Sequence, residues 1–202
     1  MKIPSLLRTA LAVCALGLTA HASATVILQV DSNGMLTGAK GVTVNGKLYD
    51  VTFSDGSCVS DFSGCDAASD FAFQNQADAI DAAFALNNQV FIDGPLGNFD
   101  TASGKVFGCV ATDQCISLIP YDPNNVFNNA GTTAAINYYG GNDSDDDIFT
   151  KFMLSHNLNL RQYTDINFAQ FHIATTAVPE PDSIALMGLA MAGLIFSRRR
   201  KS

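Results

Sequence analysis

Hydrophobic and polar positions change period several times along this chain, and each change predicts an element. Thr25 to Val30 is a run rich in β-branched residues that stops at Asp31-Ser32-Asn33-Gly34, a turn sequence. Val42-Thr43-Val44, Asn45-Gly46 and Lys47 to Phe53 together predict a hairpin, because an Asn-Gly pair tolerates the positive φ angles of a type I′ turn. On the second arm, alternation separates Tyr49, Val51 and Phe53 from Leu48, Asp50 and Thr52, and the aromatic and β-branched set is assigned to the core.

Near Gln74 the period lengthens to that of a helix. The Ala-rich stretch from about Gln74 to Asn87 carries Phe73, Ala77, Ile80, Phe84 and Asn87/Asn88 as its periodic stripe. Asp70 or Asn75 can cap it, and Asp93-Gly94-Pro95 ends whatever follows. Val90-Phe91-Ile92 fits either a last helical turn or a short strand. Further strands are expected at Lys105 to Val110, Cys115 to Ile119, Ala134 to Tyr139 and Ile166 to Ile173, with a short second helix at Asp147 to Ser155. The sum is an α+β fold, a mostly antiparallel β-sheet with one or two packed helices.

The two ends follow a different logic. Lys2 and Arg8, the apolar stretch Leu11 to Leu18, and Ala22-Ser23-Ala24 have the order of a secretory signal peptide, so residues 1–24 are expected to be removed by signal peptidase. At the other end, Val178-Pro179-Glu180-Pro181 precedes an apolar run from Ile184 to Phe196 and then Arg198-Arg199-Arg200-Lys201. The prolines hold an extended backbone and delay helix formation until after Asp182. The run is 13 residues long. As a helix it spans about 20 Å, short of a ~30 Å hydrocarbon core, a deficit that snorkelling arginines reduce. The terminal cations keep that end cytoplasmic and place the middle of the chain on the far side.

This tail resembles the PEP-CTERM sorting signal of Gram-negative bacteria, in which a Pro-Glu-Pro motif, a hydrophobic helix and a basic cluster end the chain. The resemblance implies an exosortase as partner, cutting in or near Val178 to Pro181. It also implies transient anchorage in the inner membrane through a C-terminal hydrophobic helix (184–196), then delivery to the cell envelope or to an exopolysaccharide biofilm matrix. A permanent, unprocessed single-span anchor is the alternative. The chain thus divides into residues 1–24, an exported domain at 25–177 and a sorting signal at 178–202.

Composition matters only after that division. The whole chain has a formal net charge of −8, but residues 25–177 hold five basic side chains against 17 acidic ones, all Asp, for a net charge of −12. Such a domain repels nucleic acid and anionic lipid. Asp, Asn and Gly favour turns and caps, in keeping with a loop-rich, mainly β domain.

Cys58, Cys65, Cys109 and Cys115 form an even set in an exported domain, which argues for disulfides. Three pairings exist, and Cys58–Cys65 with Cys109–Cys115 is favoured because each brackets a short polar segment. Their intervals do not match zinc knuckles. Asn142 to Asp147 is the densest charge cluster. It reads as a solvated loop, with Asp146 or Asp147 capping the next helix, or as a weak calcium site formed by Asp143, Asp145 and Asp147. His156 is expected at a helix C-terminus and His172 at a surface or edge position, neither in a catalytic motif.

No catalytic set is predicted, and no cofactor beyond the calcium option. A glycosidase would need two aspartates, since Glu is absent from 25–177, and Trp, the usual sugar platform, is absent altogether. Tyr49, Tyr121, Tyr138, Tyr139 and Tyr163 are candidate substitutes. The expectation is an exported, non-enzymatic surface protein that associates with exopolysaccharide or envelope. The alternatives are a secreted enzyme acting on matrix polysaccharide through an Asp pair, and a calcium-stabilised adhesion module.

Overall fold

The computed structural model describes residues 25–111, 113–124, 128–140 and 146–175. The chain opens with a meander of β1 (Ile27–Val30), β2 (Leu36–Val44) and β3 (Lys47–Ser54). The first turn is built by Asp31, whose Oδ1 accepts the N–H groups of Asn33 and Met35, each at 2.8 Å. The second is the expected Asn-Gly hairpin, with φ of 49° at Asn45 and 74° at Gly46. Tyr49, Val51 and Phe53 point into the core as alternation required. Glycine is obligatory at Gly38, where an added Cβ would collide with the Val51 carbonyl oxygen of the neighbouring strand.

A short helix, α1 (Cys58–Asp61), follows, closed by a capping box between Ser57 and Ser60. Next comes α2 (Gln76–Gln89), capped by Asn75 through the Asp78 N–H. Val90-Phe91-Ile92 is neither strand nor extra turn: the N–H groups of Val90 and Phe91 both return to the Leu86 carbonyl at 2.9 Å and stop the helix. The remaining strands are the two-residue pair β4 (Asp93–Gly94) and β5 (Gly97–Asn98), then β6 (Gln114–Asn124), β7 (Asn129–Tyr138), β8 (Asp147–Ser155) and β9 (Ile166–Ile173).

Seven strands form one sheet in the order β1-β2-β3-β9-β6-β7-β8. Neighbours are antiparallel except β6 and β9, which run parallel over Ile116–Leu118 and Ile166–Phe168. Pro120 lies just beyond that parallel ladder and has no N–H to extend it. β9 continues instead along β3 as far as the Tyr49–Ile173 pair.

The sheet curls around α2. β2 and β8 are five strand spacings apart, about 24 Å if flat, whereas a helix with its side chains is about 10–12 Å wide. Yet α2 bonds to both. The Gln89 carboxamide takes both backbone groups of Thr43 at 2.9 Å, at a point where β2 has outrun its pairing with β1. Asn45 at the hairpin tip donates to Asp78 and Asp81. On the other flank Gln76 reaches the Thr150 carbonyl at 2.6 Å and Asn87 the Asp147 carbonyl at 3.4 Å.

Such close seating decides which face of α2 is buried. Ala79, Ala82, Ala83 and Leu86 are wholly inaccessible, with Val90 completing the row. This corrects the expected stripe, since Ala77 is exposed, Ile80 is only half-buried and Phe84 is 53% exposed. A helix enclosed by a curled sheet admits methyl groups and excludes phenyl rings.

Two other expectations fail. Lys105 to Val110 is not a strand: Ser103–Lys105 is a 3-10 turn, Val106 makes one isolated bridge to Leu36, and Gly108, at φ 84°, turns the chain. Asp147 to Ser155 is a strand, not a helix, because it pairs with β7 from Ile136 to Asn129. Ile148, Phe152 and Leu154 turn inward while Phe149 and Met153 face out.

Both sheet faces carry a core. One gathers the α2 row with Tyr49, Phe53, Phe91, Phe99 and Phe171. The other packs Phe62, Phe71, Leu118, Leu154, Leu160 and Phe168 beneath α1. The favoured disulfides are present, Cys109–Cys115 in the first core and Cys58–Cys65 in the second.

Between β4 and the coil before β6, Asp93 organises the backbone. Its Oδ1 accepts from the Asp100 and Thr101 N–H groups at 3.1 Å, and its Oδ2 from the Thr101 hydroxyl at 2.7 Å. Burial pushes its carboxyl up, but the Thr101 and Asp100 donors, with the Lys105 charge, outweigh it and the pKa falls.

Leu86→Ala should cost about 2–5 kcal/mol in chemical denaturation, whereas Phe84→Ala should stay within about 0.5 kcal/mol of wild type. Equal losses would mean that the helix is turned the other way. A carboxyl with a lowered folded-state pKa adds stability above its unfolded pKa and loses it as pH falls through the folded value. Asp93→Ala should therefore lower Tm at pH 7, and the difference should close as pH drops below about 4. A gap undiminished at pH 2 would contradict the assignment.

Candidate functional site

The described domain ends where the sorting region begins. β9 runs to Ile173, and the Ala174 N–H donates to the Leu48 carbonyl at 3.0 Å. Four residues then separate Ile173 from Val178. Fully extended, that interval reaches at most about 18 Å. Val178, Pro179, Glu180, Pro181, Arg198, Arg199, Arg200 and Lys201 lie outside the described residues, as do residues 1–24 and the apolar run 184–196. Among the described residues no helix is long and apolar enough to cross a membrane.

Part of the acidic cluster also falls outside the described residues. Asp143 and Asp145 lie outside the described residues. Asp147 opens β8 rather than capping a helix, and its Oδ1 accepts the Ile148 N–H at 2.7 Å. Asp146 accepts the Tyr138 N–H at 3.2 Å across from the end of β7. Among the described residues no three His, Cys, Asp or Glu side chains gather as a metal site. Asp31 and Asp93 serve turns, and the Asp31 carboxyl is lowered chiefly by the Met35 N–H. Asp78 and Asp81 share the Asn45 amide on the exposed side of α2.

His172 is exposed on β9, opposite Asp50, in keeping with an edge or surface position. His156 is a correction: it is 2% exposed in the turn after β8, because the expected helix is a strand. Its carbonyl accepts the Val59 N–H at 3.1 Å and its own N–H donates to the Asn128 carbonyl at 3.1 Å, which joins α1 to the β7–β8 layer. Among the described residues no hydrogen bond links either imidazole to a serine or a carboxylate. The tyrosines divide by burial. Tyr49 and Tyr121 belong to the core, Tyr138 is half-buried, and Tyr139 and Tyr163 are exposed. Burial, reinforced by Asp122, pushes the Tyr121 phenol up.

One concavity was not expected from the sequence. Ile80, Phe84 and Asn88, the stripe of α2 that the core leaves out, face Asp147, Ile148 and Thr150 of β8 across a groove of about 300 Å³. Two amide clamps, Gln76 to Thr150 and Asn87 to Asp147, fix its walls. The usable signal was a helix with two candidate stripes, one of alanines and one of larger residues, only one of which could be enclosed.

No curated protein and no solved structure matches the chain. The PEP-CTERM protein-sorting motif matches residues 177–201, the segment that follows β9 after the short interval above. By that motif, the chain is an exported protein that carries a PEP-CTERM sorting signal for an exosortase.

Proposed function

We propose that residues 25–177 are the cargo of this signal, a non-catalytic, cofactor-independent surface domain delivered to the envelope or exopolysaccharide matrix after signal peptidase and exosortase act on the two ends. The observation that carries the reading is the junction itself: the matched motif starts at residue 177, four positions past the end of the central strand β9. A cut within Val178 to Pro181 removes the signal and leaves every described strand intact. A cut inside β9 would strip pairing from β3, and one before Phe168 would strip it from β6 as well.

Two properties of the domain suit this fate. Disulfides Cys58–Cys65 and Cys109–Cys115 cross-link it for an oxidising compartment without a partner or metal. The charge of −12 over residues 25–177 repels anionic headgroups once the anchor is gone, which favours release over retention at the lipid surface.

Mass spectrometry of the exported protein should give a C-terminus between Ala177 and Pro181, and deletion of the host exosortase should leave residues 184–201 attached. An exported wild-type form that keeps Ser202, or one ending inside β9, would sink the proposal. Enzymatic digestion of the matrix polysaccharide should release the mature domain from the cell-associated fraction. Truncation after Asp165, which deletes β9, should abolish cooperative unfolding, whereas truncation after Ala177 should leave Tm within a few degrees of the full chain.

A further inference from the structure

Strand direction fixes where the two ends of the described domain emerge. Leu28, Ala39, Val51 and Phe171 form one row across β1, β2, β3 and β9, each paired with the next. All three pairings are antiparallel, so β1 enters the sheet at the same end from which β9 leaves it. Thr25 precedes the row by three residues and Ala174 follows it by three. The outer members of the row are three strand spacings apart, about 14 Å along the sheet. Both exits are pinned there. The Thr25 carbonyl oxygen lies beside Gly41, 3.6 Å from where a Cβ would stand, and the Ala174 N–H donates to the Leu48 carbonyl at 3.0 Å. The Gly41 N–H in turn donates to Asp50, whose partner on β9 is His172.

The chain beyond those two points is short on both sides. Leu18, the last residue of the N-terminal apolar stretch, lies seven positions before Thr25, and Ile184, the first of the C-terminal run, ten positions after Ala174. Fully extended, these intervals reach at most about 25 Å and 36 Å. Had β9 run the other way, its exit would lie a strand length from Thr25, about 26 Å for its eight residues. Most of one leash would then be used in returning along the sheet. With both exits at one end, each leash reaches the same membrane surface directly. Timing points the same way. β9 closes the gap between β3 and β6, so the sheet is complete only once the chain has emerged as far as Ile173. At that point only residues 174–183 separate the sheet from the C-terminal apolar run.

We propose that the domain completes its sheet, β9 included, while both of its ends are still held at the inner membrane, so that neither cut has to precede folding or the other cut. The end of the sheet that carries Thr25, Ala174 and the Asn45-Gly46 hairpin faces the lipid, and the turn at Asp31 to Gly34 points away from it. The proposal rests on the sorting reading for the C-terminal anchor and on strand register for everything else.

The test uses the full chain in its host. Ala22→Phe with Ala24→Phe removes the small-residue site for signal peptidase, and deletion of the exosortase keeps the tail, so the two together hold the chain at both ends. Limited proteolysis of opened membranes, resolved without reductant, reads the folded core. The doubly held chain should give a core from about Thr25 to Thr175 with Cys58–Cys65 and Cys109–Cys115 both oxidised, in an amount within about twofold of the wild-type domain. With exosortase present, the signal-blocked variant should lose its tail as fully as wild type does. Digestion through β9 in the doubly held chain would overturn the proposal, and so would a tail retained only when the signal is blocked. A Gly-Ser insertion of about 20 residues after Ala177 is the second variant. It should change nothing, and restoration of a core that the native leash lacks would show that the exits are misplaced. Wild type that keeps residues 184–201 in the presence of the exosortase would instead defeat the sorting reading. The doubly held chain would still have to yield its core for the present proposal to stand.

Discussion

The insertion of β9 between β3 and β6 is the constraint on which the rest of this domain depends. The chain first makes an N-terminal meander, β1-β2-β3, and later a second one, β6-β7-β8, and each leaves a raw inner edge. Only the last described strand satisfies both, antiparallel to β3 and parallel to β6. Its residues serve both faces, with Phe171 in the core around α2 and Phe168 in the core beneath α1. Joining the halves thus requires contacts between residues more than 100 positions apart, such as Val51 with Phe171. Contacts of that span cost more closure entropy than local ones, and a fold that depends on them is expected to form more slowly. The strand that completes the sheet is also the one that leads into the sorting signal, so the domain and its signal meet across a few residues.

Curling of the sheet around α2 is the second organising fact. It accounts for the small side chains of the enclosed face, because a helix seated within bonding distance of both β2 and β8 has room for three or four alanines around one leucine. It also explains why the polar contacts of α2 are side-chain amides: Gln76, Asn87 and Gln89 reach sideways to the backbone of β8 and β2. Ile80 and Phe84, which lie off the enclosed face, become the wall of a groove. The packing solution on one side of the helix therefore produces the surface chemistry on the other.

Much of the acidity among the described residues is handled by local hydrogen bonds. Arg161 with Asp55, at 3.2 Å, is the one salt bridge among the described residues, and its arginine is largely exposed. Asp31, Asp61, Asp70 and Asp78 instead accept N–H or O–H donors within five residues of themselves, and Asp93 within eight. Aspartate suits this work because its short side chain folds back onto nearby backbone, which longer Glu does less readily. An all-Asp acidic composition is therefore the signature of many turns and caps as much as of surface charge.

Features encoded within a few residues were legible in the sequence by itself. The Asn45-Gly46 turn, the Asn75 cap, the inward Tyr49-Val51-Phe53 set, the short-range disulfides and the Pro-Glu-Pro tail all rest on backbone preference or side-chain chemistry that needs no distant partner. Tertiary structure decided the rest. Asp147 to Ser155 has the composition of either a helix or a strand, and it is a strand because β7 offers it an unpaired edge. Periodicity put Ile80 and Phe84 on the main stripe of α2, and the face actually buried, Ala79, Ala82, Ala83 and Leu86, was decided by the strands that close on both flanks. The position of β9 at the centre of the sheet could not be read from Ile166–Ile173, whose alternation specifies a strand but not its neighbours. Local signals set conformation because they act through φ, ψ and adjacent hydrogen bonds, whereas partner, face and enclosure depend on what packs there from far along the chain.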